Sequence, residues 1–322
     1  MAGADPPRTM VVVGPTASGK TALAGALAAR LSITVISADA RQVYRGLDVG
    51  TAKPDVELRR RVPHLGLDLI AVGERYSAGR FAADAARWID EVRGSGRTPV
   101  VVGGTGFYIR ALGEGLFQEP ELDPARRDAL REWTDRLEPG ALARWAGRLD
   151  PQFGGGGRQR GARAIEVALL TGHPLSHWQQ VARDTGAIRP WYIQLTLPRD
   201  VLHRRIAERV DRMLAGGLVD EVRTVLAAGA APDAPGLDAV GYREVIAAER
   251  GTLPREQVRD AIVIATRQYA KRQETWFRNQ LSAASHQRSA APAQVWRLDA
   301  TLPVSDMADQ VLARWRTVST DG

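Results

Sequence analysis

The sequence contains no cysteine. This absence excludes disulfide bonds, thiolate zinc sites and a cysteine nucleophile. No apolar run is long enough to span a membrane, and the residues before Met10 are polar and proline-rich, without the apolar centre of a secretory signal. We therefore expect a cytoplasmic protein that has no membrane partner.

The composition is that of an ordinary globular protein with an excess of positive charge. Of 322 residues, 44 are Lys or Arg and 37 are Asp or Glu, which gives a net charge of +7. The length allows one large α/β domain with a smaller second one. The positive charge suits a polyanion such as nucleic acid, although an arginine-rich composition alone would produce the same excess.

Residues 10–21, MVVVGPTASGKT, constrain the function most. The pattern predicts a buried strand, a loop of the form G-x-x-x-x-G-K-[ST] and then a helix, which is the context of a phosphate-binding loop. Backbone N–H groups and the helix N-terminus would bind phosphate oxygens, and Thr21 would hold Mg²⁺. A glycine-rich turn without a ligand is the alternative. The expected phosphate ligands are Gly14, Pro15, Thr16, Ala17, Ser18, Gly19, Lys20 and Thr21.

A second predicted strand, residues 33–37, is followed directly by Asp39. Because ligands bind at the carboxyl ends of parallel strands, we expect Asp39 near the phosphate, as a Mg²⁺ ligand or a general base. A helix-capping or turn aspartate is the alternative. The third predicted strand, within residues 99–106, ends in glycines where a nucleotide-binding protein usually has an acid for Mg²⁺, which weakens an ATPase or kinase interpretation.

The rest of the pattern predicts an α/β fold, a parallel sheet flanked by helices like that of P-loop NTPases, with a small all-helical insertion. Strand signals stop between residues 119 and 186, so we assign residues 1–118 and 187–322 to the catalytic core and 119–186 to a small helical insertion with a basic edge. A further strand is predicted over 191–197. Helices are predicted over 81–92, 108–116, 200–228, 238–249 and 255–281, and near 307–315.

Three groups of basic residues suit phosphates. Arg205, Arg209 and Arg212 repeat one turn apart on the 200–228 helix, where they could grip a phosphate. Arginines at the start of the insertion helix oppose its dipole, so a bound anion or a solvated charged face would explain them. The last long helix mixes basic and aromatic side chains, as RNA-binding surfaces do. The latter two groups are Arg158, Arg160 and Arg163, and Arg267, Lys271 and Arg278 with Tyr269, Trp276 and Phe277.

Taken in order, these motifs are similar to those of the bacterial tRNA dimethylallyltransferases, also called tRNA isopentenylpyrophosphate transferases. The resemblance covers nearly the whole chain. It rests on GPTASGKT at 14–21, SADARQVYRGLDVGTAKP at 37–54, VVGGTGFYIRAL at 101–112, RAIEVALLTGHPLS at 163–176, RVDRMLAGGLVDEV at 209–222, DAVGYREVI at 238–246 and TRQYAKRQETWFR at 266–278.

The resemblance implies transfer of a dimethylallyl group from dimethylallyl diphosphate to N6 of adenine 37 in the anticodon loop of tRNA, with Mg²⁺ as cofactor. It implies that Asp39 is the general base, that Thr16 lies beside it and that Arg209 grips the diphosphate. The implied tRNA contacts are Asp39, Ala40, Arg41, Gln42, Thr105, Arg127, Gln159, Arg160, Arg163, Gly241, Tyr242, Arg243, Lys271, Arg272 and Gln273.

The sequence departs from the family pattern in three places. Ala40 replaces the usual serine after the aspartate, residues 63–66 read PHLG instead of Pro-His-His-Leu, and glycines precede Arg158 where the family has Asn-Asp-x-Gln-Arg. Three other functions remain open: a small-molecule kinase, a noncatalytic RNA-binding protein and a prenyltransferase for free adenine nucleotides. We expect a monomer.

Overall fold

Among the residues that the structure describes (6–115, 122–181, 186–284 and 294–320), six strands form one parallel sheet. The strands are β1 (Arg8–Val13), β2 (Ile33–Ser37), β3 (His64–Leu65), β4 (Thr98–Gly103), β5 (Arg189–Thr196) and β6 (Gln294–Asp299). Their order across the sheet of this computed structural model is β3-β2-β4-β1-β5-β6, and every pairing is parallel. The α/β prediction is therefore confirmed.

An apolar run of residues accounts for the position of β1 in the middle of the sheet. Met10 to Val13 are fully buried, as expected for a parallel strand that is covered on both faces. Val11 is aligned with Val101 of β4 on one side and with Tyr192 of β5 on the other. Because β-branched side chains pack well on a pleated surface, this run folds as a strand rather than a helix.

Thirteen α-helices are described in two compact units, Met1–Gly113 with Ala187–Gly322, and Glu114–Gly186. The helices of the first unit are α1 (Lys20–Ala28), α2 (Val56–Arg61), α3 (Ala78–Gly94), α4 (Gly106–Glu114), α9 (Arg199–Ala215), α10 (Leu218–Ala227), α11 (Tyr242–Glu249), α12 (Val258–Ala284) and α13 (Val304–Thr320). Those of the second are α5 (Pro124–Arg136), α6 (Pro139–Leu149), α7 (Arg158–Thr171) and α8 (Leu175–Val181). None of the helices described is long and apolar enough to cross a membrane.

The main core of the first unit lies between the sheet and two helices. Met10 and Trp191 of the sheet pack with Leu23 of α1 and Val311 of α13, and all four side chains are at least 98% buried. The ring of Trp191 stacks on that of Trp296 in β6, with centroids 6.0 Å apart. This packing attaches the C-terminal segment of the described chain to the central strands.

The second unit has a core of its own. Leu142 and Ala146 of α6 pack against Ile165 and Val167 of α7, with Trp133 at the edge of the cluster. The unit ends at the residue where the sequence predicted the insertion to end, and the predicted boundary between residues 118 and 119 lies outside the described residues.

Three differences from the predicted elements lie in the C-terminal half of the chain. The helix predicted over 200–228 divides into two at Gly216 and Gly217, the glycine pair that the sequence marks as a kink or an interruption, because Gly217 adopts a left-handed backbone (φ 93°) between α9 and α10. The predicted helix over 238–249 begins only at Tyr242, after Gly241 with φ 98°. Strand β6 was not predicted, because this edge strand alternates polar and apolar residues and only Leu298 is fully buried.

Candidate active site

A cavity of about 790 Å³ opens at the carboxyl ends of the central strands. Its lining includes the loop after β1, Asp39 after β2 and Gly104 after β4. This is the edge at which parallel sheets bind ligands. Positive charge dominates the lining: its cationic side chains are Lys20, Arg41, Arg205, Arg209, Arg212, Arg243 and Arg272, and its carboxylates are Asp39, Glu208 and Asp238.

The loop after β1 has the tight geometry that its glycines permit. Gly14 has φ 153°, and a Cβ there would lie 3.0 Å from the carbonyl oxygen of Leu195. Gly19 has φ 97° and forms the N-cap of α1. Side chains at these two positions would strain the backbone or crowd its neighbours, so the glycines fix the loop that leads into the helix.

The ammonium group of Lys20 is held inside this loop. Its Nζ donates to the carbonyl oxygens of Gly14 (2.9 Å) and Pro15 (2.8 Å). Burial and, to a smaller extent, the nearby guanidinium of Arg209 lower the pKa of Lys20 to about 7, although the carboxylate of Asp39 acts in the opposite direction. Burial also lowers the pKa of Arg209, and again Asp39 opposes the shift. Two crowded cations beside one carboxylate make a favourable site for an anionic ligand.

Asp39 occupies the position expected from the end of β2. Its Oδ1 accepts a hydrogen bond from the backbone N–H of Arg41 at 2.9 Å, as in an Asx turn. The next residue, Ala40, donates its backbone N–H to the hydroxyl of Thr105 at 2.9 Å. These two hydrogen bonds fix the backbone around Asp39, and the carboxylate of Asp39 still lines the cavity. The turn role and a chemical role are compatible here.

The donor groups around Asp39 fit a small hard cation. Lys20, Thr21 and Asp39 share a recess of about 40 Å³ beside the main cavity, which has room for an ion or a water molecule. A hydroxyl and a carboxylate are oxygen donors of the kind Mg²⁺ prefers, and Mg²⁺ usually completes its shell with water and substrate phosphates. Among the described residues no cluster of three or more His, Cys, Asp or Glu could hold a metal on its own.

Gln273 connects the last long helix to the phosphate loop. Its Oε1 accepts the backbone N–H of Thr16 at 2.7 Å, and its Nε2 donates to the carbonyl oxygen of Gly104 at 2.9 Å. The side chain is buried. Both ends of this amide are thus used within the protein, between the ends of β1 and β4.

We expect Gln273→Leu to weaken the binding of inorganic diphosphate about tenfold. The change leaves the N–H of Thr16 and the carbonyl of Gly104 without their partner, and a buried unsatisfied group costs about 1–3 kcal/mol. Isothermal titration calorimetry measures the affinity. Gln268→Leu on the exposed side of the same helix is the control. Unchanged diphosphate affinity with weakened tRNA binding would instead make Gln273 a tRNA contact.

The structure brings only part of the predicted tRNA set to the cavity. Six of these residues line it, Lys271 is exposed on α12, and the side chain of Tyr242 is fully buried, with its hydroxyl donating to Glu221. Gly241 is also buried. The residues of the predicted set that line the cavity are Asp39, Arg41, Gln42, Arg243, Arg272 and the buried Gln273.

The predicted contacts in the second unit differ in their surroundings. Gln159 and Arg160 are exposed at the start of α7, whereas Arg127 and Arg163 both pair with the buried carboxylate of Glu166. Arg158 donates to the carbonyls of Thr134, Asp135 and Leu137 at the end of α5. Contacts within the unit therefore account for Arg158 and Arg163, two of the three arginines that a bound anion or a solvated charged face was expected to explain. Their roles toward tRNA stay predictions.

Comparison with known proteins gives one consistent result. Residues 42–280 match the family model described as IPP transferase, and residues 7–64 match that of isopentenyl transferase. The tRNA dimethylallyltransferase of Bordetella petrii is 44% identical over 280 residues, covering 84% of this chain and 88% of the relative. That of Xanthomonas campestris pv. campestris strain 8004 is 44% identical over 297 residues, covering 88% and 90%.

Solved structures agree. The crystal structure of the tRNA isopentenylpyrophosphate transferase from Bacillus halodurans has a TM-score of 0.68 and 32% identity and covers 97% of this chain and 98% of its own. A eukaryotic dimethylallyltransferase acting on tRNA, at 23% identity, shares the fold with a TM-score of 0.77, over 98% of this chain and 79% of its own. The matched sequence, the sheet and the relatives at 44% identity show that this chain belongs to the IPP transferase family, the tRNA dimethylallyltransferases.

Proposed function

We propose that this protein transfers a dimethylallyl group from dimethylallyl diphosphate to N6 of adenine 37 in the anticodon loop of tRNA. The products are N6-dimethylallyladenosine in tRNA and diphosphate. The observation that carries the proposal is that the carboxylate of Asp39, the phosphate loop with Lys20, and Arg209 all line the same cavity. Membership of the family supplies the reaction class.

The acceptor needs a base, because the lone pair of the exocyclic amine of adenine is delocalised into the ring. In the proposed step the N6–carbon bond forms while the bond between the allylic carbon and the diphosphate oxygen breaks. The leaving diphosphate takes the electron pair, and Asp39 accepts the N6 proton. A positioned carboxylate of this kind contributes about 10²–10⁴-fold to a rate.

The leaving group needs positive charge, and the cavity provides it. Lys20, Arg209 and the N–H groups of the loop other than that of Thr16, which is bonded to Gln273, stabilise the negative charge that grows on the diphosphate. Arg205 and Arg212 line the same cavity one turn to either side of Arg209. Mg²⁺, when bound, would further neutralise the phosphate oxygens, with the hydroxyl of Thr21 as its protein donor, which leaves Asp39 free to act as the base.

The tRNA would be bound mainly through its phosphates. Extruding the target base from a loop costs a few kcal/mol, and exposed basic side chains can supply that energy. In the first unit Lys271 and Arg272 are exposed on α12, with the Arg272 guanidinium 5.8 Å from the ring centre of Tyr269. In the second unit Gln159 and Arg160 are the exposed candidates. We propose that the enzyme acts as a monomer in the cytoplasm.

The experiment that tests the function is incubation with radiolabelled dimethylallyl diphosphate, Mg²⁺ and unmodified tRNA, with AMP and ATP in parallel as acceptors. We expect label in acid-precipitable tRNA. Label in a free nucleotide would indicate prenylation of free adenine nucleotides instead. Absence of label in every tube would overturn the proposal. It would favour ATP as the ligand of the phosphate loop, and a kinase assay would then test this alternative.

We expect the double substitution Lys271→Ala, Arg272→Ala to weaken tRNA binding and to flatten its salt dependence. Loss of two phosphate contacts reduces the slope of log K against log salt by roughly 1.5, because fewer counterions are released. Filter binding between 50 and 300 mM salt measures the slope. The matched control is Arg223→Ala, Arg255→Ala, since both arginines pair with Glu249. An unchanged slope would remove α12 as a phosphate contact.

A further inference from the structure

One side of the cavity is formed by a segment without helix or strand, residues 48–52, which we call the wall segment. Four of its residues, Val49 to Ala52, line the cavity. A segment of this kind has no ladder of backbone hydrogen bonds to fix it, so other groups must satisfy its N–H donors. Those groups decide how precisely this side of the cavity is placed.

The carboxylate of Glu221 in α10 takes that role. Its Oε2 accepts the backbone N–H groups of Asp48 and Val49, both at 2.7 Å. Its Oε1 accepts the N–H of Gly50 at 3.0 Å and the hydroxyl of Tyr242 at 2.7 Å. A carboxylate offers about four lone-pair sites, and four donors fill them here. Three consecutive N–H groups that converge on one anion form a compact nest.

The ring of Tyr242 limits the wall segment from the other direction. A Cβ on Gly50 would lie 2.5 Å from this ring, so the backbone at Gly50 already touches it. The ring is fully buried and cannot retreat easily. Hydrogen bonds to Glu221 hold the wall segment close to α10, and the ring of Tyr242 prevents it from coming closer. The segment is therefore fixed in one position.

The position of the wall segment also affects the stretch of chain that carries Asp39. Nε2 of Gln42 donates to the carbonyl oxygens of Thr51 and Ala52, both at 3.2 Å. Oε1 of Gln42 accepts the hydroxyl of Ser37, the last residue of β2, at 2.9 Å. Asp39 lies between Ser37 and Gln42 in the chain. A shift of the wall segment therefore acts on the short stretch that carries the base.

We propose that Glu221 is a positioning residue of this enzyme: through its four-donor carboxylate it fixes the wall segment and thereby the place of the acceptor base relative to Asp39. Tyr242 acts through Glu221 instead of touching tRNA with its side chain. The inference rests on the proposed function for its effect on turnover, but the hydrogen bonds it invokes exist without substrate.

The test is Glu221→Gln. Glutamine has nearly the same shape, but its amide nitrogen is a donor, so it would face donors at two of the four positions. We expect kcat to fall about 10–100-fold, since a displacement of about 1 Å can cost a factor of 100, while the affinities for tRNA and for inorganic diphosphate change less than threefold. Tyr242→Phe removes one donor of four and should retain most of the kcat.

Hydrogen–deuterium exchange gives a readout that does not depend on the reaction. The amides of residues 48–50 should exchange slowly in the wild type and much faster in Glu221→Gln. The control is Asp220→Asn, because Asp220 precedes Glu221 but is exposed, and its carboxylate pairs with the Arg223 guanidinium at 3.5 Å. Unchanged exchange would overturn the proposal. So would faster exchange with wild-type kcat, in an enzyme whose tRNA transfer has been established.

Discussion

Asp39→Asn is expected to slow transfer to tRNA severely while the protein still binds tRNA and diphosphate. The amide cannot accept the N6 proton, so the rate should fall by about 10²–10⁴. The amide oxygen can still accept the N–H of Arg41, which Asp39 does at 2.9 Å in the wild type, so the turn should persist. Single-turnover transfer of label to tRNA measures the rate, and filter binding measures the tRNA affinity.

Glu208→Gln is the matched control for this prediction. Glu208 also lines the cavity, but it lies on the exposed side of α9 and follows no strand of the sheet. It loses the same charge without removing the expected base. Equal activity losses in the two variants would show that net charge in the cavity matters more than proton transfer, and full activity of Asp39→Asn would exclude Asp39 as the base.

Gly103→Ala is expected to lower the free energy of unfolding by about 3 kcal/mol, the upper end of the usual cost of overpacking. A Cβ at Gly103 would lie 2.1 Å from the carbonyl oxygen of Ala38. That atom belongs to the backbone, and Ala38 donates its own N–H to Val102, so no side chain can move aside. The carboxyl ends of β2 and β4 would have to separate. Urea denaturation followed by circular dichroism measures the change.

Gly94→Ala provides the comparison. Gly94 ends α3, and a Cβ there meets no atom within 4 Å. Alanine is the better helix former, so this variant should be as stable as the wild type or slightly more stable. If both variants denatured at the same urea concentration, the contact between the two strand ends could not be as tight as the structure indicates.

The sequence was informative where function depends on local order. A strand followed by a loop fixes which residue appears at the edge of the sheet, and Asp39 and Lys20 were placed in one site by that reasoning alone. Three arginines one turn apart on a helix had to share a face, and Arg205, Arg209 and Arg212 do line the same cavity. These inferences need only the periods of helices and strands.

The sequence was uninformative where a side chain meets a partner far away in the chain. Gln273 meets the N–H of Thr16 across 257 positions, and no local pattern records such a pair. The sequence shows that Arg127 and Arg163 are basic, but it does not show that both contact the buried Glu166. Glu221 looked like one more acidic residue in the first turn of a helix, a place where carboxylates are common for electrostatic reasons.

The place of β1 in the sheet has a consequence for synthesis. Its neighbour β4 leaves the ribosome early, but its other neighbour, β5, follows only after residue 188. Until then one edge of this apolar strand is open, which is a state prone to wrong pairing. Such long-range pairing also makes folding slow. The phosphate loop obtains its bond to Gln273 later still, so a nascent chain that stops before α12 would carry the whole motif and yet lack this support for it.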